Sequence, residues 1–270
     1  MSEMTVSLTR RGFCAAAAGL VVFPLEVRAT YINPEQIMQA SYQATRFKNV
    51  RFTAGLSLRS SKGTKQNRSL SGVAKIVDGG ALARLMRFTT PADMSGVATL
   101  TFERGSRRDD LWIYLPAMRR VRKLVTANRA DPWVGSDFSY GDILGHKVSD
   151  WTHKLSGTER LSGGDCWCID SVPLTPGLMR ETGYGRRRSW IRKSDYSLLH
   201  CDFFSVSGQP LKSATFSDFR VLDGSNGKVQ PMVMTMKSTR SGSTSTLNFK
   251  QFDIGAAVMN NEISPEALNK

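Results

Sequence analysis

The chain has 270 residues, with 37 Lys and Arg against 23 Asp and Glu and a formal net charge of +14. Its later part holds no apolar stretch near the roughly 20 residues of a membrane-spanning helix, which excludes a helical multi-span protein and points to one soluble domain with a substantial core. A basic balance of this size suits nucleic acid, an anionic membrane surface or an acidic protein as partner.

In chain order, a polar start to Thr9 leads into Arg10-Arg11-Gly12-Phe13-Cys14, an apolar run from Ala15 to Phe23, and Val27-Arg28-Ala29. A charged head, apolar middle and small-residue end predict a signal peptide over residues 1–29, cut after Ala29. The paired arginines resemble the twin-arginine class of signal. Cys14 precedes the apolar run, so no lipid-modified N-terminal cysteine is expected. Losing three basic and two acidic residues leaves +13. Export to the periplasm makes nucleic acid the least fitting partner.

Asn33-Pro34-Glu35-Gln36 predicts a helix start, with Asn33 as cap and Pro34 at the first helical position, running to about Phe47. From Val50 the apolar pattern has period two. Strands are predicted at 50–58, 69–77, 82–88, 97–103, 111–115 and 121–125, separated by Gly, Pro and Asp-Gly turns. Residues 128–150 read as irregular. A second series follows at 152–161, 165–171, 186–193, 198–205, 212–219, 229–237 and 244–253. Ser264-Pro265 predicts a short closing helix. Short strands joined by hairpins imply consecutive antiparallel pairing. The fold class is therefore mainly β with a few helices, whose sheet must hide its apolar face by curling, stacking or accepting a helix across it; a strongly curved antiparallel sheet with the N-terminal helix packed in its concave face satisfies that.

Cys166, Cys168 and Cys201 permit at most one disulfide, with Cys201 able to meet Cys166 or Cys168 if their strands are neighbours. Buried, unreactive thiols fit the composition better. Metal ligation is not expected, because C-x-C lacks ligand spacing and no histidine pair supplies it. Two basic clusters, Arg119-Arg120-Val121-Arg122-Lys123 and Arg186-Arg187-Arg188, read either as a partner or membrane contact or as solvated strand surface that resists edge-to-edge association.

The string Asp109-Asp110-Leu111-Trp112-Ile113-Tyr114-Leu115-Pro116-Ala117, followed by Gly135-Ser136-Asp137-Phe138-Ser139-Tyr140-Gly141-Asp142, resembles the outer membrane lipoprotein-sorting family, a LolA-like group of periplasmic proteins. Phe88 to Gly96, Trp190 to Lys193 and Asn261 to Leu268 extend the match, so it covers most of residues 30–270, taken as a single lipid-carrier-type domain. The resemblance implies an incomplete β-barrel around helical segments, with an apolar cavity that shelters a lipid or lipoprotein acyl chain. Some relatives accompany inner-membrane exporters, which makes an exporter subunit docking through the Arg119, Arg120, Arg122 and Lys123 face the alternative.

A lipid cavity needs apolar, deformable walls. Met232, Met234 and Met236 share one strand face and suit that role. Trp112 and Tyr114 share a face opposite Leu111, Ile113 and Leu115. The expected lining is Phe88, Phe102, Trp112, Tyr114, Phe138 and the three methionines. No catalytic constellation is legible: His146, His153 and His200 stand beside no nucleophile motif, and Gly135-Ser136-Asp137 is not a nucleophile elbow. No cofactor motif is present, and a hydrolase or metal protein is the weakest reading.

Overall fold

Apart from Met1, the computed structural model describes residues 33–104, 109–125 and 129–270. Arg10 and Arg11 of the predicted signal peptide lie outside them. The described chain contains α1 (Pro34–Ala44), β1 (Asn49–Arg59), β2 (Lys65–Ile76), β3 (Leu82–Thr90), β4 (Ala98–Glu103), β5 (Asp110–Leu115) and β6 (Arg120–Leu124). It continues with α2 (Tyr140–Leu144), β7 (Trp151–Leu161), β8 (Gly164–Pro173), α3 (Pro176–Thr182), β9 (Arg186–Arg192), β10 (Leu198–Phe204), β11 (Pro210–Asp223), β12 (Lys228–Ser238) and β13 (Thr244–Asp253).

All thirteen strands join one antiparallel sheet in the order β6-β5-β4-β3-β2-β1-β13-β12-β11-β10-β9-β8-β7. Two meanders, β1 to β6 and β7 to β13, are thus fused where β1 pairs with β13, from Arg51↔Asp253 to Arg59↔Thr244. The sheet is strongly curved but not closed: β6 and β7 are its two free edges, and the segment between them crosses the interior instead of pairing.

The concave face carries the main core, including Phe52, Leu56, Leu70, Met86, Phe88 and Leu247. Here the strand period of two does its work, since alternate residues of β1 are buried in the pattern Val50, Phe52, Ala54, Leu56. Where Phe52 faces Gly72 across the β1–β2 ladder, a Cβ on residue 72 would stand 2.4 Å from the Phe52 ring, so only glycine lets that ring lie flat over β2. Helix α1 packs in the concave mouth against β7, β9 and β12. Asn33 Oδ1 accepts from the backbone N–H of Glu35 and Gln36 as its cap. The helix stops at Ala44, short of the expected Phe47, because Arg46 and Phe47 turn into the interior and are buried.

The convex face of β2 to β6 is covered as well. Val258, Ile263, Ala267 and Leu268 of the C-terminal segment pack there against Val73, Leu85 and Leu100. The Ser264-Pro265 start yields only a 3-10 turn, Pro265–Asn269. Helices α2 and α3 were not legible as helices. Each is seven residues or fewer and is started by a local cap, Ser139 with Asp142 for α2 and Thr175 for α3.

Cys166, Cys168 and Cys201 are all buried free thiols. Cys201 pairs in register with Ser189 of β9 on the concave side, whereas Cys166 and Cys168 pack with Trp190 on the other side. Strand β9 separates β8 from β10, so the pairing left open in sequence has neither the strand adjacency nor the shared face it requires. Burial pushes the Cys168 thiol up to about 11.

Candidate functional site

Between α1, the segment 138–148 and the concave faces of β1 to β3 and β9 to β13 lies a cavity of about 300 Å³. Its wall is chiefly apolar. Phe47, Phe52, Phe249 and Phe252 form one aromatic patch, with ring centroids 5.3 to 6.1 Å apart. Met38 of α1 and Met86 of β3 add flexible thioethers, the side chains best able to fit irregular apolar ligands.

Two buried polar clusters interrupt this wall. In the first, Arg46 Nη1 stands 2.5 Å from Glu103 Oε2, Tyr42 donates to Glu103 Oε1, and Arg46 Nη2 donates to the Gly80 carbonyl at 2.9 Å. Arg84 Nη1 donates to the Ile143 carbonyl at 2.5 Å. Burial, then the carboxylate of Glu103, pushes the Tyr42 phenol well above its ordinary range, so it stays a donor.

The second cluster grows from α2. The Asp142 carboxylate closes the capping box by accepting from Ser139 N at 2.8 Å, and also accepts from Tyr184 Oη at 2.8 Å and Lys212 Nζ at 2.5 Å. Burial alone would raise its pKa, but Lys212 and His146 outweigh it and hold the carboxyl well below the usual range. His146 Nε2 stands 3.5 Å from Asp142 Oδ1, outside hydrogen-bond alignment. Burial first, then the Arg187 charge, pushes its imidazole down to about 4, so it is neutral at pH 7. Arg187 is 6 % exposed, with its guanidinium carbon 5.0 Å from the Trp151 ring centre and 5.7 Å from that of Phe203.

The structure brings together part of the expected lining. Phe138, Met234 and Met236 face the cavity. Phe88 is fully buried in the same concave core but lies against Trp133, centroids 5.5 Å apart, instead of at the cavity wall. Met232 is 1 % exposed and also lies off the wall, which Gln230 and Pro231 form at that end of β12.

Phe102, Trp112 and Tyr114 require correction: they lie on the convex face, packed with the C-terminal segment, while Leu111 and Ile113 take the concave side. Period two separated the two sets correctly, but which set turns inward depends on a covering layer more than 140 residues downstream.

Arg119, Arg120, Arg122 and Lys123 are exposed on and beside edge strand β6, with Lys123 Nζ 2.6 Å from Asp110 Oδ1. The Arg186-Arg187-Arg188 cluster is not uniformly solvated. Arg186 and Arg188 share Asp170 on the outer side, whereas Arg187 turns inward. Alternation along β9 was the available signal for this, masked by three like residues in a row. Asp109 and Asp110 are each paired with basic side chains. Among the described residues no group of three or more His, Cys, Asp or Glu is placed to hold a metal ion, and no helix is long and apolar enough to cross a membrane.

A family model described as "Uncharacterized protein" matches residues 81–270. No curated protein matches the sequence. Three solved structures share the fold over nearly their whole length. An outer membrane lipoprotein-sorting protein domain from Vibrio parahaemolyticus is 22 % identical with a TM-score of 0.81, over 88 % of this chain and 98 % of that one. A DUF1329 family protein from Desulfovibrio piger is 25 % identical with a TM-score of 0.80, over 87 % and 97 %. A LolA superfamily protein from Nitrosomonas europaea is 16 % identical with a TM-score of 0.67, over 87 % and 99 %. The chain belongs to the family whose model spans residues 81–270, and its curved thirteen-stranded sheet has the LolA-like fold of outer membrane lipoprotein-sorting proteins.

Proposed function

We propose that this protein is a non-catalytic periplasmic carrier that shelters a lipid or lipoprotein acyl chain and moves it between membranes. The observation that carries the reading is the aromatic- and methionine-lined cavity of about 300 Å³ inside a LolA-like sheet. Ligand pockets begin at about this volume, and an apolar wall removes an acyl chain from water at about 0.8 kcal/mol per methylene. The order of charged head, apolar middle and Val27-Arg28-Ala29 supports export through a twin-arginine signal over residues 1–29. A passenger of that route crosses folded, so the concave core closes before export and the cavity is formed early.

Native mass spectrometry of protein purified from its periplasm tests the reading, with displacement of an uncharged fluorescent acyl probe as a second measurement. Co-purifying lipid and saturable probe binding are expected. Protein free of lipid that binds no probe overturns the carrier role. The exposed Arg119, Arg120 and Arg122 support a subordinate role in this proposal, transient contact with an anionic membrane surface or with an inner-membrane exporter. Changing all three to Gln should then lower co-sedimentation with phosphatidylglycerol vesicles without altering probe displacement.

A further inference from the structure

The cavity wall is apolar, yet it contains a cation that the protein does not neutralise. In the α2 cluster Asp142 is matched by Lys212, and His146 is uncharged, which leaves the charge of Arg187 over. No carboxylate of a described residue lies within ion-pair distance of it. Its Nε is buried without a hydrogen-bond partner, and the Cys201 thiol and the His146 imidazole are among its polar neighbours. The two rings, Trp151 and Phe203, lie against the guanidinium, and Arg187 lines the cavity. Burying a lone charge is costly, and an anion seated on it offsets that cost.

A second group points the same way. His146 lines the same cavity, its Nε2 buried without an aligned hydrogen-bond partner at 3.5 Å from Asp142 Oδ1, and its ring packs against the same Trp151 and Phe203 rings, centroids 5.6 and 6.5 Å apart. In the first cluster Arg46 and Arg84 again outnumber Glu103. Across both, four cations face two carboxylates.

We infer that Arg187, with His146 beside it, seats an oxyanion, so that the ligand is a single-chain amphiphile whose carboxylate or phosphate end sits on Arg187 while its acyl chain runs along the aromatic and methionine wall. The inference rests on the carrier reading and sharpens it: the cargo is charged at its buried end, and the guanidinium fork matches carboxylate and phosphate alike. The volume of about 300 Å³ suits one chain in place of two.

The test compares the exported protein and its Arg187→Met variant in displacement of an uncharged fluorescent acyl probe by palmitate, methyl palmitate and a monoacyl glycerol phosphate. The wild type should prefer one or both anions over the ester. Arg187→Met should weaken the anions by about 10- to 100-fold, the loss of a charge-assisted hydrogen-bonded contact, while changing the ester by less than about threefold. Which anion loses more identifies carboxylate or phosphate as the native head. The variant should melt no lower than wild type, since an apolar side chain replaces a buried unpaired charge. If it fails to fold, Arg187→Lys, which keeps the charge and loses the fork, should show a smaller loss for the anions alone. Equal binding of ester and anions by the wild type, or equal loss of both in either variant, overturns the oxyanion seat and leaves the carrier reading standing. A wild type that binds neither probe nor any ligand overturns both.

Discussion

At the scale of single residues, the interior is decided by which side chains give up their solvent and what they receive in exchange. Asp142 exchanges water for three hydrogen bonds and the Lys212 charge, whereas His146 exchanges it for aromatic neighbours and a nitrogen without an aligned hydrogen-bond partner. The folded state therefore holds His146 neutral, near pKa 4, while the unfolded chain binds a proton at about 6.5. Between those two values the unfolded state carries more protons, so stability is complete above pH 6.5 and declines as pH falls toward 4, by about 3 kcal/mol in all. His153, also lowered by burial, acts in the same sense. Replacing His146 by Gln should flatten most of the fall in melting temperature between pH 7 and pH 4.5, leaving the part due to His153. An unchanged pH profile would show that His146 does not carry it. The Asp142 contribution is lost only below its unfolded pKa near 4, so the two windows are separable.

At the scale of elements, the position of β6 explains its sequence. An edge strand offers unpaired N–H and C=O groups to any passing strand, and Arg120 and Arg122 place charge along that edge. Changing both to Val should leave the monomer folded but produce concentration-dependent association in sedimentation velocity. A variant that sediments like wild type would remove the edge-guard role and leave partner contact as the reason for the cluster. Element existence was largely readable: all thirteen strands lie where period-two patterning and turn residues placed them, within a few residues at each end. Helices α2 and α3 were not, because five- and seven-residue helices are too short for a 3.6 period to show.

At the scale of the molecule, both faces of β2 to β5 are covered, one by the concave core and one by the C-terminal segment. Leu268, 0 % exposed, anchors that outer layer. Leu268→Ala should destabilise by about 2–5 kcal/mol, read from the denaturant midpoint at unchanged slope. Acyl-probe displacement should be unaffected, because the outer layer contributes nothing to the cavity wall. A stability loss below about 1 kcal/mol would show that the tail is not a working part of the core.

Residues in the chain by themselves determined the β-rich class, the strand positions, the cap at Asn33 and the alternation that split Trp112 and Tyr114 from Leu111 and Ile113, because these follow from neighbours within one turn or one pleat. The tertiary structure alone decided which face turns inward, that Arg187 parts from Arg186 and Arg188, and that Phe52, Phe249 and Asp142 meet at one cavity. Those outcomes depend on the pairing of β1 with β13 and on a covering tail, contacts between residues roughly 200 positions apart that no local period records.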